Sequence, residues 1–445
     1  MPEIVTLLAV PQSSLIVFLC GNAEQWRLRT RNTDVLRFTL LAAAVGWRLF
    51  AAGPPDMLPA PSGEFKVGRI TVEWTDRSRL EPLSPNHEPR ALMVDIWYPA
   101  DAADGPPESY LNATAFEAAL GADGFTKQFG TAADAIRRGA VRTHAAPGAH
   151  FAASAKRCPV LIFSPGGGMV REVYAAQLED LASHGYVVAA ISHPYDAIAT
   201  VFPDGRTILY SGKRWPGIPS VEGEVNLNQL EWHARDIRFV LEQLSQAQQT
   251  GSPSVPFARY LDLTRVGAFG HSFGGEAAAR ACQIDPHLKA CLDQDGLAGM
   301  RPFNLDPRDW GMDQAFMLIE RSGPTGPLSE KDLAEMKLTR ESAENLLLRL
   351  RAYQEQVMRS TGGGSWRVIL DRQATTHMDF SDLPLIGAFG GPDAEARVGV
   401  IQIIRSLTRA FFDKTLRGLS APELDARGGS GLVQALEFFP LTRRR

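Results

Sequence analysis

Short, largely apolar runs alternate along this chain with longer segments whose apolar residues recur every three or four positions. The runs Pro159 to Phe163, Tyr186 to Ile191, Leu288 to Leu292, Ala315 to Glu320 and Trp366 to Leu370 have the length of buried strands. Helical spacing marks Arg171 to His184, then Asn226 to Ala247 with Leu230, Ala234, Ile237, Val240, Leu241 and Leu244, and finally Ala394 to Thr415. Upstream, Lys66 to Thr75 and Leu92 to Tyr98 alternate β-branched and aromatic residues with polar ones, as strands do. Strand, helix and strand in succession between Pro159 and Ile191 require a crossover, so these strands are expected to be parallel and joined right-handed. Because the pattern repeats, the predicted fold class is α/β, with a mostly parallel central sheet and helices on both faces.

Between these elements lie weaker patterns. Asp101 to Arg157 is rich in Ala, Gly and Pro and reads as an insertion with short helices, containing the glycosylation-like triplet Asn112-Ala113-Thr114. His193 to Gly223 reads as a long polar loop with a turn at Pro203-Asp204-Gly205. Glu330 to Ser360 is a charged, Leu-studded helical stretch placed to act as a lid, and Trp366 to Leu370 reads as the last strand of the sheet.

The first sixty residues have a different character. Ile4 to Cys20 is apolar but interrupted at Pro11 to Ser14, and no positive residues precede it. Phe38 to Trp47 is an apolar run with Arg27, Arg29 and Arg31 before it and Ala51-Ala52-Gly53 after it. Arg37 and Arg48 bound it, which makes it too short for the ~20 apolar residues that span a bilayer. It reads as an export signal displaced by an extension, a membrane-surface helix, a remnant of a larger membrane region, or a helix packed on the domain. An exported or membrane-associated location is favoured over a cytoplasmic one. The Pro/Gly/Ala linker from Gly53 to Gly63 predicts an N-terminal extension over residues 1–62, a main domain over 63–418 and a tail over 419–445, with Gly428 to Gly431 a flexible turn.

Composition adds exclusions. Forty-six Lys and Arg stand against fifty Asp and Glu, a net charge of −4, so there is no electrostatic footprint for nucleic acid. The terminal Arg443-Arg444-Arg445 reads as a solvated end. Four cysteines, Cys20, Cys158, Cys282 and Cys291, form no C-x-x-C pair, and H-E-x-x-H is missing, so neither metal nor cofactor is expected. The three later cysteines read as buried free thiols, with a Cys282–Cys291 bridge as the alternative for an exported protein.

The chemistry centres on Gly270-His271-Ser272-Phe273-Gly274, which follows an apolar strand and opens a helix of small residues. G-x-S-x-G in that setting is a nucleophile elbow, a strained turn that lifts a serine hydroxyl above the sheet of an α/β-hydrolase fold. Serine needs a base, and in this fold the order is serine, acid, histidine. Of nine histidines, His377 lies beyond any suitable acid; His271, inside the elbow, is expected to pack beneath the turn. Asp295, beside Gly296 at a strand end, is the preferred acid, with Asp293 in reserve and Asp306 third. For the oxyanion, one donor is the N–H of Phe273 and the other the N–H of Gly167, with Met169 or Gly168 as alternatives.

Several separated motifs resemble the plasma-type, isoform II platelet-activating factor acetylhydrolases and their bacterial relatives. They are Leu92 to Pro99, Ile162 to Gly168, Asp180 to Tyr186, Gly270 to Gly275 and His377 to Asp382. The resemblance runs from about Gly63 to Thr415 and implies calcium-independent hydrolysis of short-chain or modified acyl esters, typically the sn-2 acetyl of an ether phospholipid. It also implies an acid at Asp295. The chain departs from the family at Pro165-Gly166-Gly167-Gly168, where His-Gly-Leu-Gly is common, and at Gly296-Leu297, where an aromatic is common. The expected partner is a small-molecule or lipid ester, with contact to a membrane surface and the oligomeric state left open. Two other functions stay in view: a polyester, cutin or lipid hydrolase with the same triad, and a catalytically silent membrane-associated binding protein.

Overall fold

A computed structural model describes residues 58–102, 109–212, 227–296, 311–321, 333, 339–425 and 431–440, all within the compact unit Pro55–Arg445. The signal-like segment, Cys20 and Asp306 lie outside the described residues.

The described residues build a sheet of ten strands. In chain order these are β1 (Lys66–Leu80), β2 (Pro89–Ala100), β3 (Ala146–Pro147), β4 (Cys158–Ser164) and β5 (Val187–Ser192), then β8 (Leu261–His271), β9 (Leu288–Gln294), β10 (Ala315–Arg321), β11 (Ser365–Leu370) and β12 (Val433–Phe439). A separate hairpin pairs β6 (Ala199–Val201) with β7 (Thr207–Leu209), so the expected polar loop carries regular structure around its Pro203-Asp204-Gly205 turn. The sheet order is β12-β11-β10-β9-β8-β4-β5-β2-β1-β3. From β5 to β11 neighbours run parallel, while β1 and β2 are antiparallel to each other, as are β2 and β5. Every residue of β4 and β5 is buried, which explains their continuous apolar sequences.

Helices cover both faces. One core packs α1 (Ala113–Phe129), α3 (Ala175–Ser183) and α8 (Ala394–Arg417) on the sheet; between α1 and α3 lies the short α2 (Ala133–Arg137). The opposite core packs α4 (Leu227–Thr250) and α5 (Phe273–Ile284). Helix α6 (Arg340–Arg359), within the stretch read as a lid, buries Tyr353, Val357 and Met358, and the Ser365 hydroxyl of β11 donates to the Met358 carbonyl. Its last turns therefore pack on the sheet, while the described side chains at 341–352 are exposed. Short α7 (Leu383–Gly387) and α9 (Pro422–Asp425) complete the described helices. Asn112 caps α1 by accepting a hydrogen bond from the Ala115 N–H. Among the described residues no helix is long and apolar enough to cross a membrane.

Both expected domain boundaries move. Residues 58–62 pack on the domain: Leu58 is buried, Ser62 donates through its N–H and hydroxyl to Asp180 at 2.8 and 2.9 Å, and Arg405 donates to the carbonyls of Pro59 and Ala60. At the other end, β12 pairs antiparallel with β11, so Trp366 to Leu370 is not the last strand and residues 433–439 are not tail. The neighbouring glycines conceal it, but Phe439 is buried and Phe438 rests on Trp366, ring centroids 4.9 Å apart. Cys282 and Cys291 are joined by a disulfide, which corrects the reading of both as free thiols; Cys158 is free and buried. The bridge is local, because α5 returns directly alongside β9.

Candidate active site

The end of β8 and the start of α5 meet at Ser272, whose backbone has φ +53° and ψ −126°. A non-glycine residue there costs about 1–3 kcal/mol and must be held by its surroundings. The holding bonds are visible: the Ser272 N–H donates to the Gln294 carbonyl at 2.8 Å, and the Ser272 carbonyl accepts from the N–H groups of Gly275 and Glu276. Close packing explains the flanking glycines. A Cβ on Gly270 would lie 2.4 Å from the Gly274 and Ser164 backbones, and one on Gly274 would lie 2.0 Å from the Ser164 carbonyl oxygen. The elbow is thus pressed onto the end of β4.

Beyond β9 the chain turns at Asp295, also in left-handed backbone at φ +54°. Its N–H donates to the Ile319 carbonyl at 2.6 Å. The carboxylate accepts from His377 Nδ1 at 2.6 Å and from Arg321, through Nε at 2.7 Å and the backbone N–H at 3.0 Å. Burial pushes this carboxyl up, but the bonds from His377 and Arg321 outweigh it and hold it below the ordinary value. Asp293 lies elsewhere: buried under the elbow, it accepts the Gly296 N–H at 2.8 Å, and a Cβ on Gly275 would come within 2.1 Å of its oxygen.

His377 opens a short turn, His377–Phe380, fixed by a reciprocal cap in which Asp379 accepts from Thr376. Arg397 holds Asp379 at 2.6 Å. Because Nδ1–H is directed to Asp295, Nε2 carries the lone pair, on a ring whose side chain remains 40% exposed to an incoming molecule.

Gly166 to Met169 forms a tight turn beside Ser272. Its Gly166 carbonyl accepts from the Met169 N–H at 2.9 Å and Gly168 has φ +74°, as a type II turn requires. Met169 N–H is thereby committed to the turn, and Gly166 N–H donates to the Tyr174 hydroxyl at 3.1 Å. A trans peptide directs Gly167 N–H opposite to the Gly166 carbonyl. A Cβ on Gly167 would sit 3.7 Å from Phe273 Cβ, so the two expected oxyanion donors are neighbours. Phe273 is the first residue of α5, where N–H groups point out of the helix end.

His271 lies beneath this arrangement. Its Nδ1 accepts from the Tyr174 hydroxyl at 2.9 Å and its ring centroid is 4.5 Å from that of His377. Burial, then the repulsion that a protonated His377 would exert, push it down to about 3, so it stays neutral. Tyr174, which ties Gly166 to His271, has no signal in the sequence beyond following the glycines. The structure therefore brings Ser272, Phe273, Gly167, Asp295 and His377 to one sheet edge and leaves Asp293 below it.

The family profile described as platelet-activating factor acetylhydrolase, isoform II matches residues 51–320, a span that contains Ser272 and Asp295 and ends before His377. A "Probable 1-alkyl-2-acetylglycerophosphocholine esterase" of Arthroderma benhamiae is 30% identical over 277 residues, 58% of this chain and 64% of that protein. A "Platelet-activating factor acetylhydrolase" of Cavia porcellus is 29% identical over 154 residues, 32% of this chain and 35% of that protein. The chain thus spans less than two thirds of the length of these curated relatives. Among solved structures, a ferulic acid esterase from Streptomyces cinnamoneus superposes with a TM-score of 0.63 at 27% identity, covering 86% of this chain and 99% of that one.

Proposed function

Since the chain belongs to the isoform II family of platelet-activating factor acetylhydrolases, we propose that it is a serine carboxylic-ester hydrolase acting through an acyl-enzyme. Ser272 Oγ attacks the ester carbonyl while His377 Nε2 takes the hydroxyl proton, and Asp295 stabilises the imidazolium. The N–H groups of Gly167 and Phe273 receive the oxyanion. His377 then gives its proton to the leaving alcohol, and water repeats the sequence to release the acid. The observation that carries this reading is the 2.6 Å bond from His377 to Asp295, at the sheet edge where the elbow presents Ser272.

The substrate we propose is a short-chain or modified acyl ester of the 1-alkyl-2-acetylglycerophosphocholine type. The names of the relatives support it, as does a loop without side chains at Gly167 and Gly168. A second reading, an aromatic or polymeric ester, is favoured by the likeness to ferulic acid esterase over nearly the whole of that chain. An exported location with access to a membrane surface fits the Cys282–Cys291 bridge.

The test is a panel of p-nitrophenyl esters of increasing chain length, an acetylated ether phospholipid and a feruloyl ester, run on wild type and Ser272→Ala. Turnover that survives Ser272→Ala, or wild type that a fluorophosphonate does not label, would sink the esterase proposal and favour a silent binding protein.

A further inference from the structure

A second serine, histidine and aspartate lie under the first, wholly inside the protein. Ser164, the last residue of β4, has its hydroxyl 2.9 Å from His193 Nε2, and His193 Nδ1 is 2.9 Å from Asp236 Oδ2. Asp236 is gripped by Arg90, whose Nε and a terminal nitrogen donate at 2.8 and 2.5 Å, and by Arg79 at 2.9 Å. Burial opposes ionisation of Asp236, but the two arginines outweigh it and keep the carboxyl ionised. An ionised Asp236 takes the Nδ1–H, which leaves His193 Nε2 to accept the Ser164 O–H. The geometry imitates an activated nucleophile, yet Ser164, His193 and Asp236 are at most 2% exposed and no substrate reaches them. Their role is to hold.

What they hold are the two sides of the oxyanion hole. The Ser164 carbonyl fills the groove left by Gly270 and Gly274, the Pro165 carbonyl lies against Gly274, and Gly166 packs on Ser272 Cβ before the chain reaches Gly167. In the other direction the His193 ring stacks on His233, centroids 3.8 Å apart and planes 6° apart. His233 in turn meets the Phe273 ring edge-on at 5.0 Å and 83°. Burial drives both imidazoles towards the neutral form, which lets them stack without repulsion. The strand end leading to the Gly167 N–H and the residue supplying the Phe273 N–H are therefore braced by the same histidine pair.

Resting on the esterase reading, we infer that His193 is a positioning residue for the oxyanion hole, acting through Ser164 on one donor and through His233 on the other. A displacement of the donors by a fraction of an ångström costs stabilisation of the transition state while leaving ground-state binding nearly untouched.

The test uses the full chain with Ser164→Ala, His193→Phe and both together, measuring kcat and KM on p-nitrophenyl acetate and affinity for an alkyl trifluoromethyl ketone. The ketone forms a tetrahedral oxyanion on Ser272 and so reports on the hole itself. Ser164→Ala is expected to lower kcat by about 10- to 100-fold, with KM within about threefold. Ketone affinity should fall by the same factor as kcat/KM. The double variant should be no worse than His193→Phe alone, as two members of one contact require. Ser164→Cys should recover part of the loss.

Folded Ser164→Ala with full kcat and undiminished ketone affinity overturns the inference. So does a loss that lies in KM, or a Ser164→Ala protein that no longer folds, since either assigns the hydroxyl to another task. Wild type that fluorophosphonate does not label rejects the esterase reading instead, so the two failures are distinguishable.

Discussion

Asp293 and Asp295 stand two residues apart at the end of one strand, and it is Asp295 that bonds His377, at 2.6 Å. Its backbone turns to φ +54° and aims the carboxylate at His377, while Asp293 stays in the strand and fills the space beneath Gly275 and Gly296. Asp295→Asn is therefore expected to lower kcat by about 10³- to 10⁴-fold in a folded protein. Asp293→Asn should keep kcat within about tenfold and lower the melting temperature. Steady-state kinetics and calorimetry on both variants check the division, and the reverse pattern would exchange their roles.

Gly274→Ala is expected to abolish folding or to cost ~3 kcal/mol, because its Cβ would fall 2.0 Å from a backbone oxygen that has no room to retreat. Yield of soluble protein and the urea midpoint are the measurements. A stable Gly274→Ala with normal turnover would mean that β4 and the elbow are not in contact.

The disulfide closes a short loop between the end of the nucleophile's helix and the strand that delivers Asp295. Reduction, or Cys282→Ala with Cys291→Ala, should remove about 2–3 kcal/mol of stability. Thermal unfolding with and without a phosphine reductant reads it, and a melting temperature indifferent to reductant would contradict the bridge.

Asp382 is wholly buried, accepts from Tyr110 and the Ala176 N–H, and is pushed up to about 8 by burial. The folded chain therefore keeps a proton that the unfolded chain loses near its ordinary value of 3.8. The sign follows: stability from this group is full below that value and falls as pH rises, until the loss is complete above about 8. Asp382→Asn should thus gain on wild type between about pH 4 and 8 in melting temperature and then hold a constant difference. A difference that does not vary with pH rejects the buried proton.

Much of this was legible in the chain because it is local or ordered. Ser272 announces itself by its flanking glycines, and chain order alone separates His377 from eight other histidines. The buried strands β4 and β5 show no alternation because both faces are covered, and it is the shortness of their apolar runs that marks them as strands. What stayed hidden depends on register between distant segments. The hairpin at Ala199–Leu209 is too short to show a period, and β12 looks like tail until Trp366 is seen to need a cover. The contact of Ser164 with His193 spans 29 residues, and that of His193 with Asp236 spans 43. Nothing in the spacing of these residues marks it.

Ser272 and Asp295 both occupy positive-φ backbone that glycine adopts at lower cost. Selection for heat resistance alone would therefore reward replacements at these two positions. The hottest-melting descendants of this sequence should include inactive ones, and directed evolution for durability will need a turnover screen to keep them out.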